Sequence, residues 1–454
     1  MSPAPKSFRC GSLFLAFFAA ACSSNSSPGG LTITSQPPTR ATIREPYLYQ
    51  VVAKNALGAS AFVLTNAPAA MTIDPDGLVS WLPAYPDLGT HPVEIEVSDA
   101  KVRRRQSFSL RVDQGLLLGT GLSWLGHTGS GTPLDYVDHV SGHDPWGSVI
   151  AFQTAWRDPG DRMSEIPGLA STAMVDARTY GFTPTVGIGW TDGQGNPDLT
   201  SDSEPANNSW SNQETRAEFL QMAGDFAALY QPPYLFLGNE TNVYYATHTA
   251  AEWADWISEF EACYDAIHAV SRDTLVFTVF QLEFMKGLGA KTGSAPPASW
   301  DLIADHDASG KIDAIGFTTY PYLEYDTVAY MPPGYYQEIA SYWTGPVVFS
   351  EIGWIAADSG PYLGSESEQV AFLDAFFDGT QDLDLVDANW LFLHDWDQQA
   401  LVPAFANIGL RDNLASFVRL ADASWQAQVA LREGRPRAFA WRKRLPNQPQ
   451  RAQR

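Results

Sequence analysis

The sequence predicts an α/β protein: a (β/α)8 barrel preceded by a small all-β domain. Three observations predict it. From about Leu31 to Val112, short alternating stretches are separated by turn residues, the pattern of half-buried strands. After Gln114-Gly115 the texture changes to apolar runs alternating with amphipathic segments, as a parallel sheet with covering helices requires. Two of those runs, Leu235-Phe236-Leu237-Gly238-Asn239-Glu240 and Val347-Val348-Phe349-Ser350-Glu351-Ile352-Gly353-Trp354, carry an abrupt glutamate. A strand buried on both faces reads as a continuous apolar run, and its C-terminal tip is where an α/β barrel keeps its chemistry.

The elements follow in chain order. Lys6 and Arg9 start a leader whose apolar core, Gly11 to Phe18, is too short to span a bilayer as a mature helix. It ends Ala19-Ala20-Ala21-Cys22, which resembles a bacterial lipoprotein cleavage box with Ala19 in place of the usual Leu. Residues 1–21 are therefore expected to be a signal peptide and Cys22 the lipidated residue. Residues 22–30, rich in Ser and Gly, have tether composition. The likeness implies an exported bacterial lipoprotein at the cell surface or outer membrane, held to the membrane only by its lipid.

Residues 31–113 form the predicted β-sandwich, with candidate strands at Tyr47–Ala53, Ala61–Leu64, Gly77–Trp81, Val93–Val97 and Phe108–Val112. Tyr47-Leu48-Tyr49, the stretch Ala67 to Ile73, Gly77 to Pro83, Gly89 and Val97-Ser98-Asp99 resemble the immunoglobulin-like, cadherin-like modules of bacterial surface proteins. Such modules serve as spacers or binding modules; the absence of an obvious aromatic platform favours a spacer.

Residues 114–445 supply eight candidate barrel strands: Leu116–Leu122, Val149–Thr154, Thr185–Gly189, Leu235–Leu237, Leu275–Val279, Ala314–Phe317, Val347–Phe349 and Trp390–Leu393. Thr249-Ala250-Ala251-Glu252 and Ser365-Glu366-Ser367-Glu368 are capping boxes that open helices. Behind the first, Trp253, Trp256, Ile257, Phe260, Cys263, Tyr264 and Ile267 recur at helical spacing; Phe219, Met222, Phe226 and Leu229 mark another helix. Cys263 reads as a buried small hydrophobe. An open doubly wound sheet is disfavoured because no glycine-rich phosphate loop follows the first strand. Residues 446–454 form a basic tail, continuing the basic stretch that holds Arg442, Lys443 and Arg444.

The formal net charge of −23 in 454 residues excludes nucleic acid and other polyanions as partners and suits a neutral substrate. The adjacent His394 and Asp395 do not make a metal site, no Gly-x-Ser-x-Gly elbow supports an esterase, and no metal or cofactor is expected.

Glu240 closes the fourth predicted strand and Glu351 the seventh. Two carboxylates facing each other across one cleft are what glycosidic-bond hydrolysis needs. One must hold its proton near neutral pH, through desolvation or a negative neighbour; the other must stay ionised, through donors. Gly238-Asn239-Glu240 and Ser350-Glu351-Ile352-Gly353-Trp354 resemble the clan A glycoside hydrolases, most nearly the arabinogalactan endo-galactanase relatives. The resemblance implies that Glu240 is the general acid/base and Glu351 the nucleophile of a retaining enzyme acting on a β-linked carbohydrate. It implies that Asn239 binds the sugar hydroxyl beside the reacting carbon and that Tyr320 orients the nucleophile, with a packed aromatic as the alternative for Tyr320. Arg157 either donates to Glu351 or pairs with Asp158. Trp396 is the expected sugar floor, with Trp390 or Trp354 as substitutes, and Trp190 and Trp156 are subsite walls or core. Glu283, near the fifth tip, is a rival carboxylate without a motif. A non-catalytic surface carbohydrate-binding protein and a transglycosidase remodelling surface glycans stand as the alternative functions.

Overall fold

The computed structural model describes residues 30–42, 46–83, 87, 89–113, 115–123, 146–156, 166–190, 199, 209–289, 291, 293, 295–395, 403–412 and 418–433. These fall into two compact units, the first holding most of the chain up to Val112 and the second running from Asp113 onward with two short earlier stretches.

The N-terminal unit is all β. A four-stranded sheet takes the order Arg40–Thr42, Arg103–Asp113, Gly89–Ser98, Ala61–Asn66, and a three-stranded sheet the order Tyr47–Gln50, Leu78–Trp81, Thr72–Ile73. Alternation sets which side chains are inside: Tyr47 and Tyr49 are buried while Leu48 and Gln50, which alternate with them, are exposed, and Val93, Ile95 and Val97 are buried in the same way.

The second unit is a closed parallel barrel in which each strand pairs with the next and the last with the first. Its strands are β1 (Leu117–Gly121), β2 (Val149–Ala155), β3 (Thr183–Gly189), β4 (Tyr234–Leu237), β5 (Leu275–Gln281), β6 (Ala314–Thr319), β7 (Pro346–Ile352) and β8 (Asp384–Trp390). All eight overlap the expected runs, the eighth only at Trp390. The eighth lies mostly before the apolar run Trp390–Leu393, because β8 carries polar groups that the barrel interior absorbs. Asp387 is buried and accepts from Thr185 on β3 at 2.6 Å, and Asn389 donates to Asp387 at 3.0 Å. Gly187 on β3 leaves the space that Phe236 fills: a Cβ there would lie 2.1 Å from the Phe236 ring.

The helices are α1 (Gly168–Thr179), α2 (Gln213–Tyr230), α3 (Thr241–Thr247), α4 (Ala250–Val270), α5 (Leu282–Met285), α6 (Asp301–Asp307), α7 (Glu366–Gly379) and α8 (Leu420–Glu433). The caps work as the sequence suggests. Thr249 accepts from the Glu252 N–H at 3.2 Å and Ser365 from the Glu368 N–H at 3.1 Å, while Asn212 caps α2 at 2.8 Å. Arg216 on α2 meets the buried Glu259 on α4 at 2.9 Å. Cys263 is buried on the inner face of α4.

Helix α8 seals the barrel where β8 ends. Arg419, just before it, is bidentate to Asp395 at 2.9 and 2.5 Å, both side chains being buried, and also donates to the Gly409 carbonyl. Trp425 donates to the Trp146 carbonyl at 3.0 Å, and Trp146 returns a bond to Asp422 at 2.5 Å. No helix among the described residues is long and apolar enough to cross a membrane.

Between the barrel and its helices Trp156, Trp190, Trp210, Phe219 and Trp256 form one aromatic cluster with ring centroids 4.2–6.2 Å apart. Trp256, fully buried on α4, touches most of it. Replacing it by alanine is expected to cost about 3–5 kcal/mol, read as a lowered denaturant midpoint at unchanged slope.

Candidate active site

Strand β4 ends in a tight turn that only this sequence of residue types makes. Gly238 has φ +78°, and a Cβ on it would lie 2.5 Å from both the Trp190 ring and Thr241. Glu240 then takes the left-handed conformation at φ +50°, ψ 43°, which costs an L-residue roughly 1–2 kcal/mol. The next residues hold it there. Asn242 bonds Gln281 at the end of β5 in both directions, each at 2.9 Å, and the Thr241 hydroxyl lies 3.3 Å from that of Thr278. Strain that neighbours over-determine in this way is found at functional sites.

Strand β7 delivers its glutamate by a different device. Phe317 on β6 pairs with Phe349, but Thr318 pairs with Glu351, so Ser350 is an extra residue on β7. The β8 side shows the same surplus: Phe349 pairs with Ala388 and Ile352 with Trp390. This bulge brings the consecutive residues Ser350 and Glu351 both into the lining of one cavity, which regular alternation forbids.

The cavity, about 340 Å³, opens at the C-terminal ends of the strands and is lined by Glu240, Glu351, Asn239, Tyr320, Gln153 and Ser350 among apolar residues that include Phe152, Phe236, Phe392 and Phe405. Glu351 accepts from the Tyr320 hydroxyl and, at 2.9 Å, from the Gln153 amide. Glu240 accepts from the Thr318 hydroxyl at 2.7 Å. Thus β6 holds both acids, Thr318 one and Tyr320 the other.

Their electrostatics differ. Burial first, then the charge of Glu351, raise the Glu240 carboxyl from its ordinary range to about 7, against the Thr318 bond, with Glu283 adding a smaller push. Burial raises Glu351 too, while the Tyr320 hydroxyl pulls it back. That Glu351 acts on Glu240 as a charge means that Glu351 ionises first and Glu240 holds the last proton of the pair.

Of the residues expected at the site, Glu240, Glu351, Asn239 and Tyr320 line the cavity. The buried carbonyl oxygen of the Asn239 amide has no partner among the described residues. Two expectations are corrected. Trp190 is 3 % exposed inside the aromatic cluster, and Trp354 is fully buried against Tyr322 and Phe372. Neither reaches the cavity, because helices α4 and α7 pack over those positions and take the rings into the core. Trp156, stacked on Trp210 and edge-on to Phe219 of α2, is core as well. Arg157, Trp396 and Cys22 lie outside the described residues. The donor role foreseen for Arg157 has an occupant in Gln153, whose signal was a lone amide within the apolar run Val149–Thr154. His394 is buried, and its backbone N–H donates to the Ser123 hydroxyl oxygen at 3.2 Å. Among the described residues no group of three or more His, Cys, Asp or Glu could hold a metal ion.

No family model matches the chain, and no curated protein matches it. Solved structures do. The exo-β-1,4-mannosidase Op5Man5 from Opitutaceae bacterium strain TAV5 superposes with a TM-score of 0.53 at 16 % identity, over 70 % of this chain and 59 % of that one. A family 39 glycoside hydrolase from Bacteroides cellulosilyticus WH2 gives 0.46 at 16 % identity, over 88 % and 83 %. A β-D-glucuronidase from Dictyoglomus thermophilum gives 0.45 at 13 % identity, over 88 % and 68 %. What the mannosidase shares with this chain at that identity is the fold; the chain spans about three fifths of its length.

The raised Glu240 carboxyl has a consequence for stability. Folding increases the affinity of this group for its proton, so its contribution is full below the unfolded carboxyl range near 4.5 and is lost as pH rises through about 7. Glu240→Gln, which keeps an acceptor for Thr318, is expected to raise the melting temperature above pH 7 and to leave it unchanged near pH 4. Differential scanning calorimetry across that range checks the sign.

Proposed function

We propose that the protein is a retaining glycoside hydrolase acting on a β-linked oligosaccharide or polysaccharide. One observation carries the reading: two glutamates from strands β4 and β7 line a single cavity and are held unequally, Glu351 by two donors that offset its burial and Glu240 by one, with its proton affinity raised further by the Glu351 charge.

Glu351 attacks the anomeric carbon as the glycosidic bond breaks, and Glu240 gives its proton to the departing oxygen. The product is a glycosyl ester on Glu351, with the leaving sugar free. Esterification removes the Glu351 charge, which is one of the causes that raise Glu240. Glu240 thereby becomes a carboxylate able to take a proton from water. The hydroxide equivalent attacks the same carbon from the opposite face, the ester C–O bond breaks, and Glu351 returns ionised. This double displacement asks for carboxyl groups about 5–5.5 Å apart. Tyr320 and Gln153 keep the nucleophile's lone pairs aimed. The unpartnered Asn239 carbonyl oxygen is an acceptor for the sugar hydroxyl next to the reaction centre, and Phe152, Phe236, Phe392 and Phe405 offer apolar surface to the ring faces.

The barrel shared with solved glycoside hydrolases supports this reading at the level of fold. The leader and Cys22 support an exported lipoprotein in which the N-terminal β unit serves as an immunoglobulin-like spacer.

The test is a screen of the full chain against a panel of aryl β-glycosides and β-linked polysaccharides, followed by the two variants. Glu240→Gln and Glu351→Gln are each expected to lower kcat by about 10³-fold or more with KM changed little. Azide is expected to restore turnover to Glu351→Gly as a glycosyl azide of inverted configuration. The kcat/KM profile is expected to fall on its alkaline side with a midpoint near 7, set by Glu240. An inverted product from the native enzyme, or a binder that keeps sugar affinity and turns over nothing, would displace the proposal.

A further inference from the structure

Below the cavity lies a third acid that the double displacement does not use. Glu283, on α5 just past the end of β5, is 2 % exposed and every direction around its carboxylate is filled by a donor. Its Oε1 accepts from the Thr319 hydroxyl and the Tyr335 hydroxyl, both at 2.7 Å. Its Oε2 accepts from the Tyr320 backbone N–H at 3.0 Å and the Gln281 amide at 2.6 Å. A backbone N–H and an amide NH2 can only donate, so these bonds favour the anion and work against the burial that raises this carboxyl above its ordinary range.

The placement of these bonds is what matters. Thr319 and Tyr320 are the tip of β6, flanked by the two residues' duties already described: Thr318 holds Glu240 and the Tyr320 hydroxyl holds Glu351. Strand β6 ends at Thr319; Tyr320 caps the short 3-10 turn that follows, its carbonyl accepting from the Leu323 N–H at 2.9 Å, while its own N–H, past the last strand pairing, goes to Glu283. Glu283 therefore stands in for the missing strand pairing, bonding the backbone N–H of the residue whose ring reaches the nucleophile. Gln281, which braces Glu283, is itself fixed by Asn242 in the turn that follows Glu240. One buried carboxylate thus ties the β5, β6 and β4 ends into a single unit.

We propose that Glu283 is a positioning residue for the reaction: it fixes the β6 tip so that Tyr320 and Thr318 hold the two reacting carboxyl groups in register. The proposal rests on the reading in which Glu240 and Glu351 are those groups. The titratable groups facing Glu283 are Tyr322, Tyr325, Tyr335 and Tyr336, each pushed up first by burial and further by its charge, and Glu240, which burial and Glu351 push up and Glu283 pushes least. The neighbouring cation Lys286 lies over the Tyr335 ring and pairs with Glu338.

The experiment uses the full chain with Glu283→Gln and Tyr335→Phe, the second removing a single donor from Glu283. Circular dichroism and melting establish which variants fold. In folded variants kcat is expected to fall about 10- to 100-fold for Glu283→Gln and less for Tyr335→Phe, with KM within about threefold. The alkaline limb of kcat/KM is expected to move to lower pH in Glu283→Gln, as Glu240 loses a negative neighbour. An unchanged kcat and an unchanged limb in a folded Glu283→Gln protein would overturn the proposal, and if that variant does not fold, an unchanged kcat and pH profile in Tyr335→Phe would do so. A readout without turnover separates this from failure of the functional reading. Carbon-13 NMR of glutamate labelled at the carboxyl, with the Glu240 signal assigned by its loss in Glu240→Gln, follows the Glu240 titration directly. A lower midpoint in Glu283→Gln or Tyr335→Phe supports the tie between Glu283 and the cavity even where the wild type hydrolyses no glycoside; an unmoved midpoint in both overturns it.

Discussion

Two like charges brought into one apolar cavity repel each other, and the rest of the site is organised by that repulsion. Burial alone already raises either glutamate above the ordinary carboxylate range. Together, one ionises and its charge keeps the proton on the other. Which of the two ionises first is decided by donors, and the donors are unequal: a phenol and an amide on Glu351, one hydroxyl on Glu240. The asymmetry that the proposed acid and nucleophile would need is therefore set by two short stretches, the β6 tip and Gln153 on β2.

Holding such a pair asks the backbone for conformations that a regular barrel does not supply. At β4 the chain accepts a left-handed glutamate behind a positive-φ glycine, and at β7 it accepts an extra residue in the strand. Both departures fall at carboxylates, and both are pinned by neighbours that have no role in bond breaking: Asn242 and Gln281 on one side, the Ser350 bond to the Phe317 carbonyl at 3.4 Å on the other. Local cost is met by the surrounding fold, which is closed on itself and cannot relax at one strand without disturbing its neighbours.

How much of this could be read in the sequence depends on what each feature consists of. Glu240 and Glu351 were legible because an acid after an apolar run is visible in one dimension. Tyr320 was legible from its place after a strand. Gln153 and Thr318 were not, because a polar residue inside a strand declares itself only when the opposite wall of the barrel is known. The bulge was invisible for a deeper reason: register is a relation between strands, and Ser350 is surplus only when counted against β6 and β8. Trp190 and Trp354 misled because an indole at a strand tip has the same letter whether it faces a sugar or a helix, and α4 and α7 decided the matter. The last strand was displaced because Asp387 and Asn389 break the apolar run that marks a buried strand, yet pair with each other and with Thr185 inside the barrel.

The closure of the barrel joins β1 to β8, strands separated by some 260 residues, and is sealed by α8 through Arg419, Asp422 and Trp425. A growing chain therefore carries an open sheet with a bare edge on β1 until β8 has been made. Completion is a late, all-at-once event that joins distant ends of the polymer, the kind that is slow for topological reasons. Synthesis of this protein thus has a long vulnerable interval, in which the half-built sheet must be kept from pairing with its neighbours before its own final strand arrives.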